Sequence, residues 1–135
     1  MVEIHINYDG GPRSIAVHGP SADRIHTDAP VDNGGTGSSF SPTDLLATAL
    51  GTCMATYLGK AAEAHGWNLE GTRLLVRKDM VADPLRRVGR LSVDIYIPGE
   101  FDDKAMKVMT HAVTTCPVKL SISDRIEVPV TFHPR

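Results

Sequence analysis

The sequence predicts a mixed α+β fold with a largely antiparallel sheet, and three observations support this prediction. Several short segments alternate apolar and polar residues, which is typical of strands with one buried face. Two longer segments instead repeat apolar residues every three or four positions, as amphipathic helices do. The strand segments are grouped and joined by turn signals rather than alternating singly with helices, which favours antiparallel pairing.

Three strands are predicted at the start of the chain. Alternation predicts the first over Val2–Tyr8, and Asp9-Gly10-Gly11-Pro12 is a strong turn signal. Alternation resumes over Arg13–His18, so these two strands form a hairpin. A third, shorter strand is expected over Arg24–Ala29. Residues 30–39 are rich in glycine and serine, and we expect a loop there.

The clearest element is a long helix from Pro42 to His65. Ser41 is a good N-cap, and Asp44 completes a capping box with it. Gly66 supplies a left-handed residue that ends the helix. The apolar residues expected on its buried stripe are Leu46, Leu50, Cys53, Tyr57 and Ala61.

A strip of small residues lies beside this predicted stripe. Its members are Ala47, Thr48, Gly51, Thr52 and Ala55. Glycine in a helix interior costs roughly 1 kcal/mol relative to alanine. Gly51 therefore predicts the close approach of a second helix.

Two strands, a second helix and a last strand follow. Alternation predicts the strands over Thr72–Val81 and Arg87–Ile97. The helix is expected over Asp102–Thr114, and Cys116-Pro117 interrupts it, because a residue before proline avoids the α region. A helical turn can restart at the proline. With a final strand over Arg125–Phe132, the predicted order is β-β-β-α-β-β-α-β.

The composition indicates one domain without a nucleic-acid or membrane partner. A chain of 135 residues fits a single domain over 1–135. Its net charge of -2 gives no reason to expect binding to nucleic acid or to an anionic membrane. The N-terminus has no signal-peptide pattern, and no segment has the roughly 18 apolar residues of a membrane span. We therefore expect a cytoplasmic protein, in which a permanent structural disulfide is not expected.

Spacing alone leaves the roles of the two cysteines open. Cys116 precedes a proline at which a new helical turn can begin, and a helix start favours the reactive thiolate form. Cys53 lies in the middle of the long helix, where it would need an arginine brought close by the fold. A cysteine on an apolar stripe is most often core packing.

The segments around both cysteines have a distinctive sequence. The first is FSPTDLLATALGTCM over residues 40–54, and the second is TCPV over residues 115–118. Both, together with VPV at residues 128–130, resemble the OsmC/Ohr family of osmotically inducible and organic-hydroperoxide-resistance proteins. The resemblance runs from about Phe40 to the C-terminus, whereas the N-terminal hairpin agrees in layout only.

The resemblance implies both a fold and an activity. The OsmC-like fold is an intertwined homodimer in which the long central helices pack together and the active site lies at the interface. The activity is that of a thiol peroxidase which reduces organic hydroperoxides. For this chain, the resemblance implies that Cys53 attacks the peroxide. Cys116 then resolves the resulting sulfenic acid of Cys53 by forming an intramolecular disulfide with it. An external dithiol, such as a lipoylated protein, then reduces the disulfide, and no cofactor is expected.

The chain departs from the peroxidase branch of the family at one position. There an arginine and a glutamate assist the cysteine, and the glutamate directly follows the helix-starting proline. Thr43 occupies that position here, and the nearest acid, Asp44, is turned by about 100° around the helix. Asp44 is therefore either an assisting or only a capping acid. Arg13 is the candidate for the assisting arginine, with Arg24 as the alternative.

Two other functions remain open. One is a non-enzymatic OsmC-fold dimer that binds a small hydrophobic ligand, with structural cysteines. The other, cysteine-dependent hydrolysis, lacks a histidine placed near Cys53 by the sequence. The histidines are scattered, and His111 with Cys116 makes only a weak zinc pattern, so we expect no metal.

Overall fold

A computed structural model describes every residue of the chain, Met1–Arg135. The chain divides into two compact units, Met1–Leu46 and Ala47–Arg135. The chain contains two three-stranded sheets and three α-helices, which confirms the predicted α+β class. The single domain expected over 1–135 stays a prediction.

The first unit contains an antiparallel sheet. Its strands, in the spatial order β1-β2-β3, are β1 (Ile4–Gly10), β2 (Arg13–His18) and β3 (Arg24–Thr27). Gly10 and Gly11 form the β1–β2 turn with φ values of 92° and 55°, a left-handed conformation that glycine adopts without a steric penalty. The predicted hairpin is therefore present.

The apolar side chains of β1 are exposed in the single chain. Ile4, Ile6 and Tyr8 share one face of the strand and expose 61%, 62% and 75% of their surface. Apolar side chains that share one face of a strand are ordinarily buried against another surface. In the single chain, this apolar face of β1 is therefore exposed to solvent.

The long helix, α1, spans Pro42–His65 as predicted. The Asp44 N–H donates to Ser41 Oγ at 3.0 Å, and the Ser41 N–H donates to Asp44 Oδ2 at 2.9 Å. This reciprocal pair is the predicted capping box. At the other end, Gly66 has a φ of 70°, so the left-handed stop is also present.

The buried face of α1 differs from the prediction by about one residue, or about 100° around the axis. Its buried residues are Ala47, Leu50, Gly51, Met54, Leu58 and Ala62. Apart from Leu50, the residues of the predicted stripe are only half-buried. The helix is apolar over more than half of its circumference, so the periodicity did not determine which apolar side faces the core.

The rest of the chain forms a second sheet and two helices. These elements are β4 (Arg73–Val81), β5 (Arg87–Ile97), α2 (Asp103–Thr114), α3 (Pro117–Ser121) and β6 (Val130–Pro134). β5 is the central strand, with β4 antiparallel on one side and β6 parallel on the other. The sheets are therefore largely antiparallel, with one parallel pair. No helix combines the length and apolar character needed to cross a membrane.

The last strand begins later than predicted. Its regular pairing starts at Val130 rather than Arg125. Before it, the carbonyls of Glu127 and Pro129 already accept hydrogen bonds from the N–H groups of Leu91 and Val93. Proline has no N–H, so Pro129 can only accept, which delays the regular ladder.

One face of β5 forms the centre of the core in the second unit. Its buried side chains are Leu91, Val93, Ile95 and Ile97, and the helices contribute Leu50, Met54, Leu58, Met109 and Val113. A Cβ added at Gly51 would lie 2.9 Å from Val76 Cγ2 of β4. The close neighbour that Gly51 accommodates is thus the Val76 side chain of β4. The prediction that a second helix approaches α1 at Gly51 was wrong.

Candidate active site

The two cysteines lie on different elements and differ in exposure. Cys53 is half-buried in the middle of α1. Cys116 is fully buried and directly precedes α3, with φ of -64° and ψ of 148°, the extended geometry that a following proline requires. The predicted restart of a helical turn at Pro117 is confirmed. Both side chains are free thiols rather than a disulfide.

Folding brings these two thiols into interaction range. Burial raises the pKa of the Cys116 thiol, because a thiolate loses hydration in the interior. Cys53 raises this pKa further, since it hydrogen-bonds the thiol form and, once ionised, repels a second negative charge. The backbone N–H groups of Lys119 and Val118 lower this pKa, although the Cys116 side chain forms no capping hydrogen bond at the start of α3. Cys116 therefore keeps its proton at neutral pH.

This arrangement suits two-step thiol chemistry. A half-buried sulfur is reachable by a small substrate, and a neighbouring thiol can later form a disulfide with it. No group of three or more His, Cys, Asp or Glu side chains is placed to hold a metal ion.

The structure places Asp44 at the start of α1, in the capping box. One of its carboxylate oxygens accepts the Ser41 N–H. A negative charge there is also favourable for the helix dipole. The hydroxyl of Thr43, the residue after the helix-starting proline, lies 3.2 Å from that of Ser41.

Arg13 lies at the start of β2, beside a buried carboxylate. Its Nε is 3.8 Å from Asp28 Oδ1, while about half of the Arg13 side chain remains exposed. Arg24, the alternative arginine, begins β3 and is exposed. Of the two, Arg13 is the one that the structure shows next to a carboxylate.

Comparison with known proteins identifies the family. Residues 35–131 match the family of OsmC-like proteins. The chain belongs to that family. The resemblance found in the sequence is thereby confirmed. No curated protein matches the sequence.

Solved structures share this OsmC-like fold over nearly the whole chain. A Psychrobacter arcticus protein named for osmotic stress induction and detoxification response is 44% identical, with a TM-score of 0.92 over 98% of this chain and 96% of that one. An organic hydroperoxide resistance protein of Legionella pneumophila is 17% identical, with a TM-score of 0.82 over 98% and 96%. OhrB of Bacillus subtilis, also an organic hydroperoxide resistance protein, is 14% identical, with a TM-score of 0.74 over 98% of both chains. The last two establish the fold alone.

One buried group of this OsmC-like chain, Asp28, is not among the residues that the sequence patterns predicted. Its Oδ2 accepts four hydrogen bonds, from the N–H and hydroxyl of Thr36 at 3.1 and 2.6 Å and from those of Ser38 at 3.2 and 3.0 Å. These bonds, that of the Thr36 hydroxyl first, hold the pKa of Asp28 far below its usual range against the opposing effect of burial. Asp28 Oδ1 accepts no hydrogen bond and faces Arg13.

This carboxylate anchors the loop that follows β3. An aspartate ahead of a segment rich in serine, threonine and glycine is a known local anchor, because its oxygens accept backbone and hydroxyl hydrogens nearby. That signal was present in the sequence, but it carries no periodicity. Helix and strand periodicity therefore do not predict the role of Asp28.

Proposed function

We propose that this protein is a thiol-dependent peroxidase that reduces organic hydroperoxides. The observation that carries the proposal is the pair of neighbouring thiols, one half-buried and one fully buried. The organic hydroperoxide resistance proteins of the same fold support this class of substrate. Oxidative-stress defence is the corresponding biological function, and we propose the cytoplasm as its location.

In the first step, Cys53 acts as a thiolate after losing its proton to solvent. Its sulfur attacks the terminal oxygen of R–O–O–H, the O–O bond breaks, and Cys53 becomes a sulfenic acid while the peroxide is reduced. The departing alkoxide needs a proton to leave as an alcohol. We assign that proton to Cys116, which burial keeps protonated until this moment.

In the second step, Cys116 is the nucleophile. Having given up its proton, its thiolate attacks the sulfur of the Cys53 sulfenic acid, and the new S–S bond replaces the S–O bond. The hydroxide released takes up the proton that Cys53 lost and becomes water. Two thiols and one hydroperoxide thus give one disulfide, one alcohol and one water. An external dithiol, such as a lipoylated protein, returns the disulfide to two thiols.

Arg13 and Asp44 are the proposed assisting residues. A cation near Cys53 would favour its thiolate, and Arg13 is our choice because the buried charge of Asp28 restrains it. Asp44 is the acid nearest in sequence to the position of the missing glutamate. If Arg13 assists, Arg13→Gln slows the oxidation of Cys53, whereas Arg24→Gln leaves it unchanged.

We further propose that the protein acts as a homodimer. An exposed stripe of small residues runs along α1, formed by Thr48, Thr52, Ala55 and Gly59. Small side chains allow two helices to approach closely. The uncovered apolar face of β1, with Ile4, Ile6 and Tyr8, is a second surface suited to a partner subunit.

The decisive experiment is mass spectrometry of the reduced protein after one equivalent of cumene hydroperoxide. We expect the mass to fall by that of two hydrogens, as an intramolecular disulfide forms. Cys53→Ser should consume no peroxide, and Cys116→Ser should react once and stop as a sulfenic acid that dimedone traps. Two free thiols in the wild-type protein after this treatment would contradict the proposal.

One feature favours a second candidate, a non-enzymatic dimer that binds a small hydrophobic ligand. Thr43 stands where the peroxidase branch has its assisting glutamate. In that case Cys53 would react slowly with iodoacetamide in the folded protein, and no peroxide would be turned over. Fast labelling together with turnover would exclude this candidate.

A further inference from the structure

A group of charged and aromatic side chains lies on the second sheet, on the face opposite the core. Because side chains alternate along a strand, the residues between the buried positions of β5 point away from the core. With their neighbours on β4 and at the end of the chain, they form what we call the Tyr96 face: Arg73, Leu75, Arg77, Asp94, Tyr96, His133 and Arg135. None of these residues belongs to the proposed peroxidase site.

The only side-chain carboxylate of the Tyr96 face is already engaged. One oxygen of Asp94 accepts a hydrogen bond from Arg77, and the other lies 2.8 Å from His133 Nε2. These contacts, that with His133 first, lower the pKa of Asp94, so it is ionised at neutral pH. Asp94 is thus committed to Arg77 and His133.

Two further arginines converge on the ring of Tyr96 and have no carboxylate partner among the side chains. The guanidinium carbon of Arg73 lies 5.0 Å from the ring centre, and that of Arg135 lies 5.5 Å from it. His133 stacks on the same ring at 4.6 Å, and Asp94 holds this histidine in place. The ring is therefore fixed, and both guanidinium groups lie within reach of one small ligand.

A depression of about 580 Å³ opens between these side chains. It is lined by Arg73, Leu74, Leu75, Tyr96 and Arg135. Leu75 exposes 43% of its surface and gives the depression an apolar wall. The site thus combines two arginines, neither paired with a side-chain carboxylate, with an apolar and aromatic surface.

We propose that this depression binds a small phosphate ester with an aromatic body. Guanidinium groups form paired hydrogen bonds with phosphate oxygens, and two of them match the charge of a phosphate dianion. The aromatic body lies against Leu75 and the edge of the Tyr96 ring. Inorganic phosphate lacks this body and binds more weakly, and phenol lacks the charge.

Phenyl phosphate is the probe for an NMR titration of the full ¹⁵N-labelled chain. We expect saturable shifts of the Arg73 and Arg135 Nε–H signals and of the Tyr96 amide. Arg73→Gln and Arg135→Gln should each weaken binding by about 10-fold, the loss of one charge-assisted contact. Arg90→Gln is the matched control, because Arg90 lies on the same sheet but is paired with Glu127 at 2.8 Å. Its binding constant should not change.

Three results would overturn the proposal. The first is the absence of saturable shifts up to about 10 mM phenyl phosphate, a concentration that reveals even weak binding. The second is unchanged binding in Arg73→Gln, with an otherwise unchanged ¹H–¹⁵N spectrum as evidence that the variant is folded. The third is binding of phenol or of inorganic phosphate as tight as that of phenyl phosphate, since one of the two groups would then contribute nothing.

Discussion

The thiol of Cys116 is fully buried beside that of Cys53, which is only half-buried on α1. Under the proposed function, this difference in burial determines which of the two sulfurs reacts first. The more accessible one meets the peroxide, and the buried one keeps its proton until the first step needs it. The sequence placed both cysteines in family motifs, but the difference in burial comes only from the structure.

Replacing Cys116 by alanine should slow the first oxidation of Cys53, and the size of this loss should depend on the leaving group of the oxidant. With tert-butyl hydroperoxide, whose alkoxide is a poor leaving group, we expect a loss of roughly 100-fold, since general acids typically contribute at least this much. A peracid expels a stable carboxylate that needs no proton, so its rate should hardly change. Single-turnover consumption of each oxidant, with the protein in excess, measures these rates in the wild type and in the variant.

Cys116→Ser is the matched control for this prediction. Its hydroxyl can still donate a hydrogen bond to the departing oxygen, so the tert-butyl hydroperoxide rate should lie between those of the wild type and the alanine variant. Equal losses with both oxidants would mean that Cys116 does not act as an acid. The proposed peroxidase activity itself would be unaffected by that result.

Cys116 should also make the reduced protein less stable at alkaline pH. Because its pKa is raised in the folded state, its contribution to the free energy of unfolding is complete below the ordinary thiol pKa of about 8.5. Above that pH the unfolded chain loses the proton and the folded chain does not, so stability falls as pH rises. Urea unfolding in reductant between neutral pH and pH above 9 measures this loss. Cys116→Ala should flatten the dependence, and an unchanged slope would show that Cys116 is not its cause.

Asp28→Asn should lower the melting temperature at neutral pH. The amide carries no charge for Arg13 and is a weaker acceptor for the four hydrogen bonds from Thr36 and Ser38. Because the pKa of Asp28 is lowered by folding, its contribution is complete above about pH 4, the ordinary value for aspartate. The difference between wild type and variant should therefore shrink only as the pH falls below that value.

Asp23→Asn is the control for this prediction, because Asp23 is exposed. Its melting temperature should match that of the wild type across the same pH range. A difference between wild type and Asp28→Asn that shrinks already between pH 7 and pH 5 would point to another titrating group.

The sequence predicted correctly those structural features that depend only on residues close together in the chain. The ends of α1 follow from Ser41, Asp44 and Gly66, all of which act within a few residues, and all three have their predicted function. The interruption before Pro117 is equally local. These features did not depend on the rest of the fold.

Features set by distant residues were harder to predict. Whether Met54 or Cys53 faces the core depends on which side of α1 meets the sheet, and both sides are apolar enough to do so. The parallel pairing of β6 with β5 depends on the path of the chain after α3. Asp28 was missed because its partners, Thr36 and Ser38, are joined to it by loop geometry rather than by a repeating pattern.

Leu58→Ala tests the register of α1 directly. Leu58 is 1% exposed, so its truncation should leave a cavity and lower the free energy of unfolding by about 2 to 5 kcal/mol. Leu46, which the sequence placed on the buried stripe, is half-buried, so Leu46→Ala should cost less. Leu120→Ala removes a side chain that is 70% exposed and should change stability by no more than about 0.5 kcal/mol. Urea unfolding of the three variants at one fixed protein concentration gives the comparison, because an oligomer's apparent stability depends on concentration. A larger loss for Leu46→Ala than for Leu58→Ala would favour the stripe expected from the periodicity over the face that the structure buries.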